Sequence, residues 1–542
     1  MEQHDLNQRL ILALVLSFAI LFGFSYFFPQ QSPQTDRNAT QATQAQATAS
    51  APSHAAPAPA ASSSMPQTPQ ASPTAPVRSE ANTSTVRVDA LVTIRAPHFV
   101  WRIDRLGRIA SAQLLEPKYQ TPEGQPLELL DPSRVRPLEI RFVDPALNAQ
   151  AFKQSCRATS AELTIQDAPV ELTLTQELEG VTVVKHLTIH PDGHYDLSVR
   201  TDKPVDLFIT PGHRPEADHA RYLLVRGALV RDAHGVITTV EDGEAEESVA
   251  VPDATIVSAF DRYTASLFYR FEPPMPATLT VEKGGDPLGF VAVKGTIELH
   301  GYLGPKEYRT LQHLHPQLTD AIEFGWFTFL ARPFFKVMVW IHDYVGNWGW
   351  AIVLFTLLVK LVLFPLSYKG MMSMQKLKDL APKMKDLKER YKDDPAKLNM
   401  QMMELYKKHN ANPMGGCLPM LLQIPVFFAL YRVLLNADEL QGAPWIGWIT
   451  NLADKDPYYV LPILMGVSMW LMQKIQPTTM TDPMQQKIFQ WFPVIMTFFF
   501  LTFPAGLVLY WLTNNLLSIL QQYIINRAYE KHKAQQKAQQ AE

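Results

Sequence analysis

Cysteine is nearly missing from this chain: 542 residues hold only Cys156 and Cys417. The two fall in stretches of different character, one strand-like and one in an apolar run, which argues against a disulfide framework. An excess of charge of one sign is missing as well. The net charge is −3, and it says little because charge is segregated along the chain. Residues 30–80 have almost no large apolar side chains; they repeat Ala, Gln, Ser, Thr and Pro. Such a stretch cannot bury enough surface to offset its ordering entropy, so 29–84 is read as a disordered linker. No nucleophile–base pair and no glycine-rich phosphate loop is visible. His186, His190, His194, His213 and His219 match no standard ligand spacing and are read as surface histidines. No catalytic site, metal or cofactor is expected.

What is present divides sharply, although the mean hydropathy of −0.07 conceals it. Leu10–Phe28 is a run of 19 uncharged residues, long enough to span a bilayer. It ends in Ser25-Tyr26-Phe27-Phe28 before Pro29, bulky where a signal peptidase needs small side chains, so 1–28 is read as an uncleaved anchor. From 85 to 320 the pattern alternates. Glu171–Thr175, Val181–Val184 and Ala277–Val281 change sides at each residue, and so does the shorter Val86–Asp89. Pro191-Asp192-Gly193 and Gly284-Gly285-Asp286-Pro287 mark turns between such runs. This predicts an antiparallel β-sandwich that binds or scaffolds.

The second half carries apolar spans. Trp350–Leu366 reads WAIVLFTLLVKLVLFPL, with Lys360 in its interior. An ammonium at that depth costs about 2.5–3.5 kcal/mol on insertion scales, which marks a functional residue. Snorkelling competes. However, Lys369 marks the cytoplasmic edge, and Lys360 lies roughly 13 Å deeper at 1.5 Å per residue. A water-facing Lys360, with Thr356 one turn away on the same face, is the preferred reading. Further spans are placed at 413–436, 458–475, 490–504 and 505–525. The last two are joined at Phe503-Pro504-Ala505, a connection short enough to make them neighbours. Ahead of the Lys360 span, 321–344 reads either as an interfacial amphipathic helix opened by Pro333, or as an extension of the span itself.

Between spans 345–368 and 413–436 lies a basic stretch, 369–412. Leu377, Leu380, Met384, Leu387 and Tyr391 are spaced as a seam, and Leu398, Met402 and Leu405 continue it after Asp394-Pro395. A helical hairpin follows, either a solvated structural element or a docking surface. Lysine and arginine counts put this hairpin, the 476–489 loop and the 526–542 tail in the cytoplasm, and the 437–457 loop and the β-domain outside. Both termini are then cytoplasmic. Gln423 interrupts one span, and Tyr510, Asn514 and Ser518 line one face of the last. They are either packing glue or, with Lys360, the wall of a wet groove. Fifteen of 19 methionines lie after residue 370, which suits adaptable surfaces but is also ordinary for membrane cores.

Four motifs carry a resemblance: Asn412-Pro413-Met414-Gly415-Gly416-Cys417-Leu418-Pro419, Asp456-Pro457-Tyr458-Tyr459, Thr481-Asp482-Pro483-Met484-Gln485-Gln486-Lys487, and Phe503-Pro504-Ala505-Gly506 through Trp511. Together they make residues 345–525 similar to the membrane core of the YidC/Oxa/Alb insertase family, in its Gram-negative form. The resemblance implies six transmembrane helices, five of them forming the insertase core, and a periplasmic supersandwich domain. It implies a non-enzymatic insertase and chaperone of the bacterial inner membrane, acting alone or with the Sec translocon. Its partners would be nascent membrane proteins, SecYEG and SecDF-type components, the ribosome or signal recognition machinery, and membrane lipids, with no direct binding of nucleic acid. The family's groove arginine falls on Lys360, which keeps the charge but not the planar fork. Its substrate-contacting positions fall near Phe427, Phe428, Tyr510 and Trp511, and its cytoplasmic hairpin falls on 371–411. The competing function is a secondary transporter of an anionic solute, with Lys360 as counter-charge. That reading predicts matching halves in the spans, and none is found.

Overall fold

The computed structural model describes residues 89–539, apart from 122, 217–224, 283, 393, 410–412 and 476–482. The anchor at 1–28, the linker at 29–84, Val86–Val88 and His219 lie outside the described residues.

Alternation decides the β-domain. Val181–Ile189 points every second side chain inward without a break, and Val170–Leu178 nearly so. A five-stranded sheet contains Ala90–Arg95, Phe99–Asp104 and Ile109–Leu114, with Leu127–Glu128 and Glu162–Thr164 at its edges. It packs on a thirteen-stranded sheet that runs from Ile140–Phe142 at one edge to Arg157–Ala158 at the other. Between them Trp101 meets Tyr195 edge-on at 5.8 Å, over Leu172, Leu187 and Val199. The pairing is antiparallel except where Ala90–Arg95 runs parallel to Glu162–Thr164. A two-layer β fold is therefore present, with one parallel edge that alternation cannot reveal.

The histidines divide. His190 and His194 stack at 3.8 Å beside Asp196 and Asp192. His213, expected on the surface, is buried, with its ring between Glu216 and Asp286. The non-local strands that cover it are invisible in its own neighbourhood of sequence.

Among the described residues seven helices follow the β-domain: α1 (Thr328–Val345), α2 (Trp348–Arg390), α3 (Pro395–Lys408), α4 (Pro413–Asn436), α5 (Val460–Ile475), α6 (Pro483–Phe500) and α7 (Ala505–Gln539). Helix α1 starts five residues before Pro333, so the proline lies inside the helix instead of opening it. Gly346, left-handed at φ 64°, ends α1, and Asn347 caps α2 by accepting from the Trp350 N–H. Helices α1 and α2 are thus distinct elements, not one extended span. Helix α2 shows no break at 368/369: its 43 residues cover roughly 65 Å, through the apolar span and the first arm of the basic hairpin. Asp394 and Pro395 start α3 as the sequence indicates.

The last two helices correct the neighbour expectation. The short connection at Phe503-Pro504-Ala505 brings Phe500 onto Trp511 at 4.7 Å, but beyond it α6 lies against α5, and α7 against α5 and α2 alike. Gly466 of α5 lets Thr497 of α6 come so close that a Cβ there would overlap its hydroxyl. On another face of α5, Ser468 accepts from Asn515 of α7 at 3.1 Å. A short connection fixes only helix ends; side-chain fit decides the rest.

Candidate functional site

Helices α2, α4 and α7 enclose a cleft. Along α7, Tyr510, Asn514 and Ser518 recur every fourth residue and so share one face. Lys360 of α2 reaches across and donates from Nζ to Ser518 Oγ at 2.8 Å. The Ser518 hydroxyl in turn donates to the Asn514 carbonyl at 2.7 Å. From α4, Gln423 Nε2 donates to Asn514 Oδ1 at 3.0 Å. Three helices are tied through four polar side chains. Lys360 is directed across the helix pair instead of along its own helix, which is not the geometry of snorkelling. Thr356 lines the cleft, and its hydroxyl donates to the Ile352 carbonyl at 2.7 Å, so it is held against its own helix.

No carboxylate lies within ion-pair distance of Lys360 among the described residues. The sequence explains this: α2 carries no Asp or Glu before Asp379, and α7 none before Glu530. The cleft is therefore cationic without a built-in counter-ion. It is also narrow, with a free interior of about 20 Å³ lined further by Val359, Leu363, Ser367 and Val426. That is space for one or two waters, not for a peptide segment. Lys360, Thr356, Gln423, Tyr510 and Asn514 share the lining of the cleft. Ser367 is the polar wall residue that sequence reasoning missed; it is one turn past Leu363, and its only signal was being a serine in an apolar run.

The apolar contact residues lie beside this cleft. Phe427 of α4 packs on Trp511 of α7 at 4.6 Å. Phe428 faces outward, 44% exposed, and stacks on Phe327 at 5.7 Å. Phe427 and Trp511 are thus brought together, whereas Phe428 belongs to the neighbouring outer face.

Comparison with known proteins identifies this arrangement. A family model described as "60Kd inner membrane protein" matches residues 340–533, and one described as "YidC periplasmic domain" matches 290–337. Relatives named membrane protein insertase YidC align over nearly the full chain. The one from Wolinella succinogenes is 46% identical over 98% of this chain and 97% of its own. That from Campylobacter jejuni is 44% identical over 97% of both chains, and that from Helicobacter pylori 44% over 98% of both. The chain belongs to the YidC membrane insertase family.

Every cleft residue named above falls inside the matched inner-membrane segment of this YidC-family chain. So does the hairpin. Leu377 and Leu380 are buried, with Met384, Leu405 and Tyr406 packed against them. The Tyr406 hydroxyl points at the Met384 sulfur at 3.8 Å. Leu387, Tyr391 and Met402 are only half covered, so the seam is tight near the membrane end and looser toward the tip. Sequence reasoning missed that α7 continues through the expected tail to Gln539 and braces the hairpin's first arm. Asp379 of α2 accepts from Lys533 at 2.6 Å and from Tyr529 at 2.9 Å. Burial pulls the Asp379 carboxyl upward, but the hydrogen bonds from Lys533 and Tyr529 and the lysine charge hold it below its ordinary value.

The outer end of α4 is fastened to the β-domain. Just past it, Asp438 accepts from the Tyr119 hydroxyl at 2.5 Å and from Lys118 at 3.4 Å. Glu439 accepts from the Tyr308 N–H at 2.7 Å. Burial pushes Asp438 up to about 6 and Glu439 up to about 8, each also raised by its acidic neighbours.

Proposed function

We propose that this protein inserts nascent membrane proteins into the bacterial inner membrane, using the cationic cleft between α2, α4 and α7. One observation carries the reading: Lys360 faces a small polar cleft between apolar helices, bonded to Ser518, with no carboxylate in ion-pair range among the described residues. A short polar or acidic segment of a substrate is attracted there. Its apolar helix then moves along Phe427, Trp511 and the outward Phe428 into lipid, driven by hydrophobic burial. The cleft lowers the cost of moving backbone polar groups, which lipid alone penalises by several kcal/mol each. Because the cleft is narrow, entry requires α4 to move away from α2 and α7, breaking the Gln423–Asn514 bond.

The membrane placement rests on exposed apolar faces. Among the described residues α2 is the one helix long and apolar enough to cross a membrane alone. Helices α5 and α6 expose Ile463, Val467, Trp470, Trp491 and Phe498, between 50 and 79%. Such faces fit lipid better than water. With α4, α7 and the 1–28 anchor they make six spans, with the β-domain in the periplasm and both termini in the cytoplasm. Sec translocon components and ribosomes fit as partners at the β-domain and the basic hairpin.

Reconstitution tests this. Purified protein in liposomes is given a single-spanning substrate with an acidic outer segment, and protease protection is scored. Wild type should protect it, and Lys360→Ala should lower the insertion rate about tenfold, or ~1.4 kcal/mol. Lys360→Arg should keep most of the activity. Equal rates for wild type and Lys360→Ala would remove the charge from the mechanism; no protection above empty liposomes would remove the function.

A further inference from the structure

A second cleft lies away from Lys360, between the last segment of the β-domain and α1. Tyr308, Thr319 and Asp320 form one wall, and Arg332, Phe335 and Lys336 the other, around about 190 Å³ of free space. Its charges do not balance. The Asp320 carboxylate takes Arg332 at 2.7 Å and Arg231 at 2.7 Å, so two guanidiniums share one acid. Lys336 is exposed, with no carboxylate in ion-pair range among the described residues. Asp343, the acid further along the same helix face, is held by Arg309. Arg332 Nε is buried and finds no acceptor among the described residues. Two guanidiniums therefore share one carboxylate, one of them with an unused buried donor, and the unpaired Lys336 lines the same open cleft. A buried guanidinium N–H without an acceptor is costly and calls for an anion.

The surroundings decide which anion. At 100° per residue, Phe329, Trp340 and Tyr344 share the outward face of α1 with Lys336. They are 75, 57 and 75% exposed. Aromatic rings mixed with lysine on one helix face suit the headgroup level of a bilayer. A soluble phosphate would have no use for those rings, whereas acyl chains would cover them.

We propose that this cleft binds the phosphodiester headgroup of an anionic phospholipid of the outer leaflet. Lys336 Nζ donates to the phosphate, Arg332 turns its Nε, buried in this structure, outward to join it, and the acyl chains run along Phe329, Trp340 and Tyr344. This rests on reading α1 as lying in the outer interface. Bound lipid would clamp α1 to the β-domain at the point where the chain enters the membrane core.

The test uses the full-length protein in detergent with equimolar phosphatidylglycerol and phosphatidylcholine, and native mass spectrometry to count retained lipid. Wild type should retain one phosphatidylglycerol in preference to phosphatidylcholine. Lys336→Gln, an exposed change that should leave the melting temperature unaltered, should lower that preference about fivefold. Arg332→Lys keeps the charge toward Asp320 but loses Nε, and should also weaken it. The same preference in wild type and Lys336→Gln would overturn the proposal, as would no preference in wild type. Displacement of the lipid by millimolar glycerol phosphate would assign the site to free phosphate instead and overturn the lipid. A nitroxide on Tyr344→Cys, read against lipid-soluble and water-soluble relaxers, checks the interface placement separately. A water-exposed label would overturn both that placement and the lipid. Lipid-level exposure without headgroup preference would leave the interface reading standing and sink only the cleft. Insertion into purely phosphatidylcholine liposomes reports on the insertase independently of either.

Discussion

Two lysines sit where lysine is expensive, and they differ in how far the sequence announces them. Lys360 stands out because its neighbours along the chain are apolar for a full span. Lys185 does not, because it sits in an ordinary alternating strand at an inward position between Val183 and Leu187. It is fully buried, and its Nζ donates to the carbonyls of Gly107 at 2.6 Å and Leu138 at 3.0 Å. Those acceptors lie 78 and 47 residues away in sequence, and burial lowers its pKa. Gly466 is equally silent in sequence, yet it sets the α5–α6 approach. Gly466→Ala should force Thr497 off its bond to the Pro493 carbonyl, which measures 2.7 Å. Overpacking of this kind costs about 1–3 kcal/mol. A lowered melting temperature of the detergent-solubilised protein would show it, and an unchanged one would mean that α6 shifts freely.

At the scale of elements, caps were more legible than lengths. Asp394 was readable as a helix start from Asp-Asp-Pro alone, and its carboxylate does accept from the Lys397 N–H at 3.0 Å. Asp394→Ala should cost about 1 kcal/mol of α3 stability, and hydrogen exchange of the Lys397 amide should speed up about fivefold. Exchange at the unchanged rate would mean that packing, not the cap, holds the turn. Helix lengths escaped because the sequence changes character where the helix does not. The apolar run ends near Lys369, but the helix continues to Arg390, carried past Pro365 and Pro382, each of which leaves out one backbone hydrogen bond. The same holds for α7, whose polar C-terminal half reads as a tail and is held as a helix by Asp379. Pro333 misled in the opposite sense: proline is tolerated in the first turns of a helix, and the sequence alone does not say which turn it occupies.

For the whole molecule, the junction between β-domain and membrane core is the feature with the largest reach. Arg262 donates to the Leu435 carbonyl at 2.7 Å and Asn436 to the Glu323 carbonyl at 3.0 Å, beside the Asp438 and Glu439 contacts. Both acids are raised on folding, Asp438 from 3.8 to about 6 and Glu439 from 4.5 to about 8. A raised carboxyl binds its proton more tightly in the folded state. Its stabilisation is complete below the unfolded value and is lost as pH climbs through the folded one. Between about pH 4.5 and 8 the junction should therefore weaken with rising pH, by up to about 1.4 kcal/mol per pH unit for each proton by which the two states differ. Lys306, lowered to about 8 by burial, acts oppositely, but only above that window. Melting temperatures of wild type and Asp438→Asn across pH 5 to 8 check this. The wild-type curve should fall relative to the variant, which can still accept from Tyr119; parallel curves would show that Asp438 does not titrate there.

The sequence by itself determined the local and periodic features of this protein. Alternation gave the β-domain, apolar runs gave the helices of the second half, Asp394-Pro395 gave the hairpin turn, and a lone lysine among apolar residues marked one wall of the cleft. Each of these is written in residues a few positions apart, where covalent neighbours and the helix or strand repeat do the work. Only the tertiary structure decided what depends on partners far along the chain. It paired Lys360 with Ser518 and Gln423 with Asn514, placed α5 between α6 and α7, buried His213 and Lys185, and set Arg332 beside Lys336 at an open cleft. Those outcomes follow from close packing and from the need of buried polar groups for partners, and neither condition can be evaluated until the chain has folded.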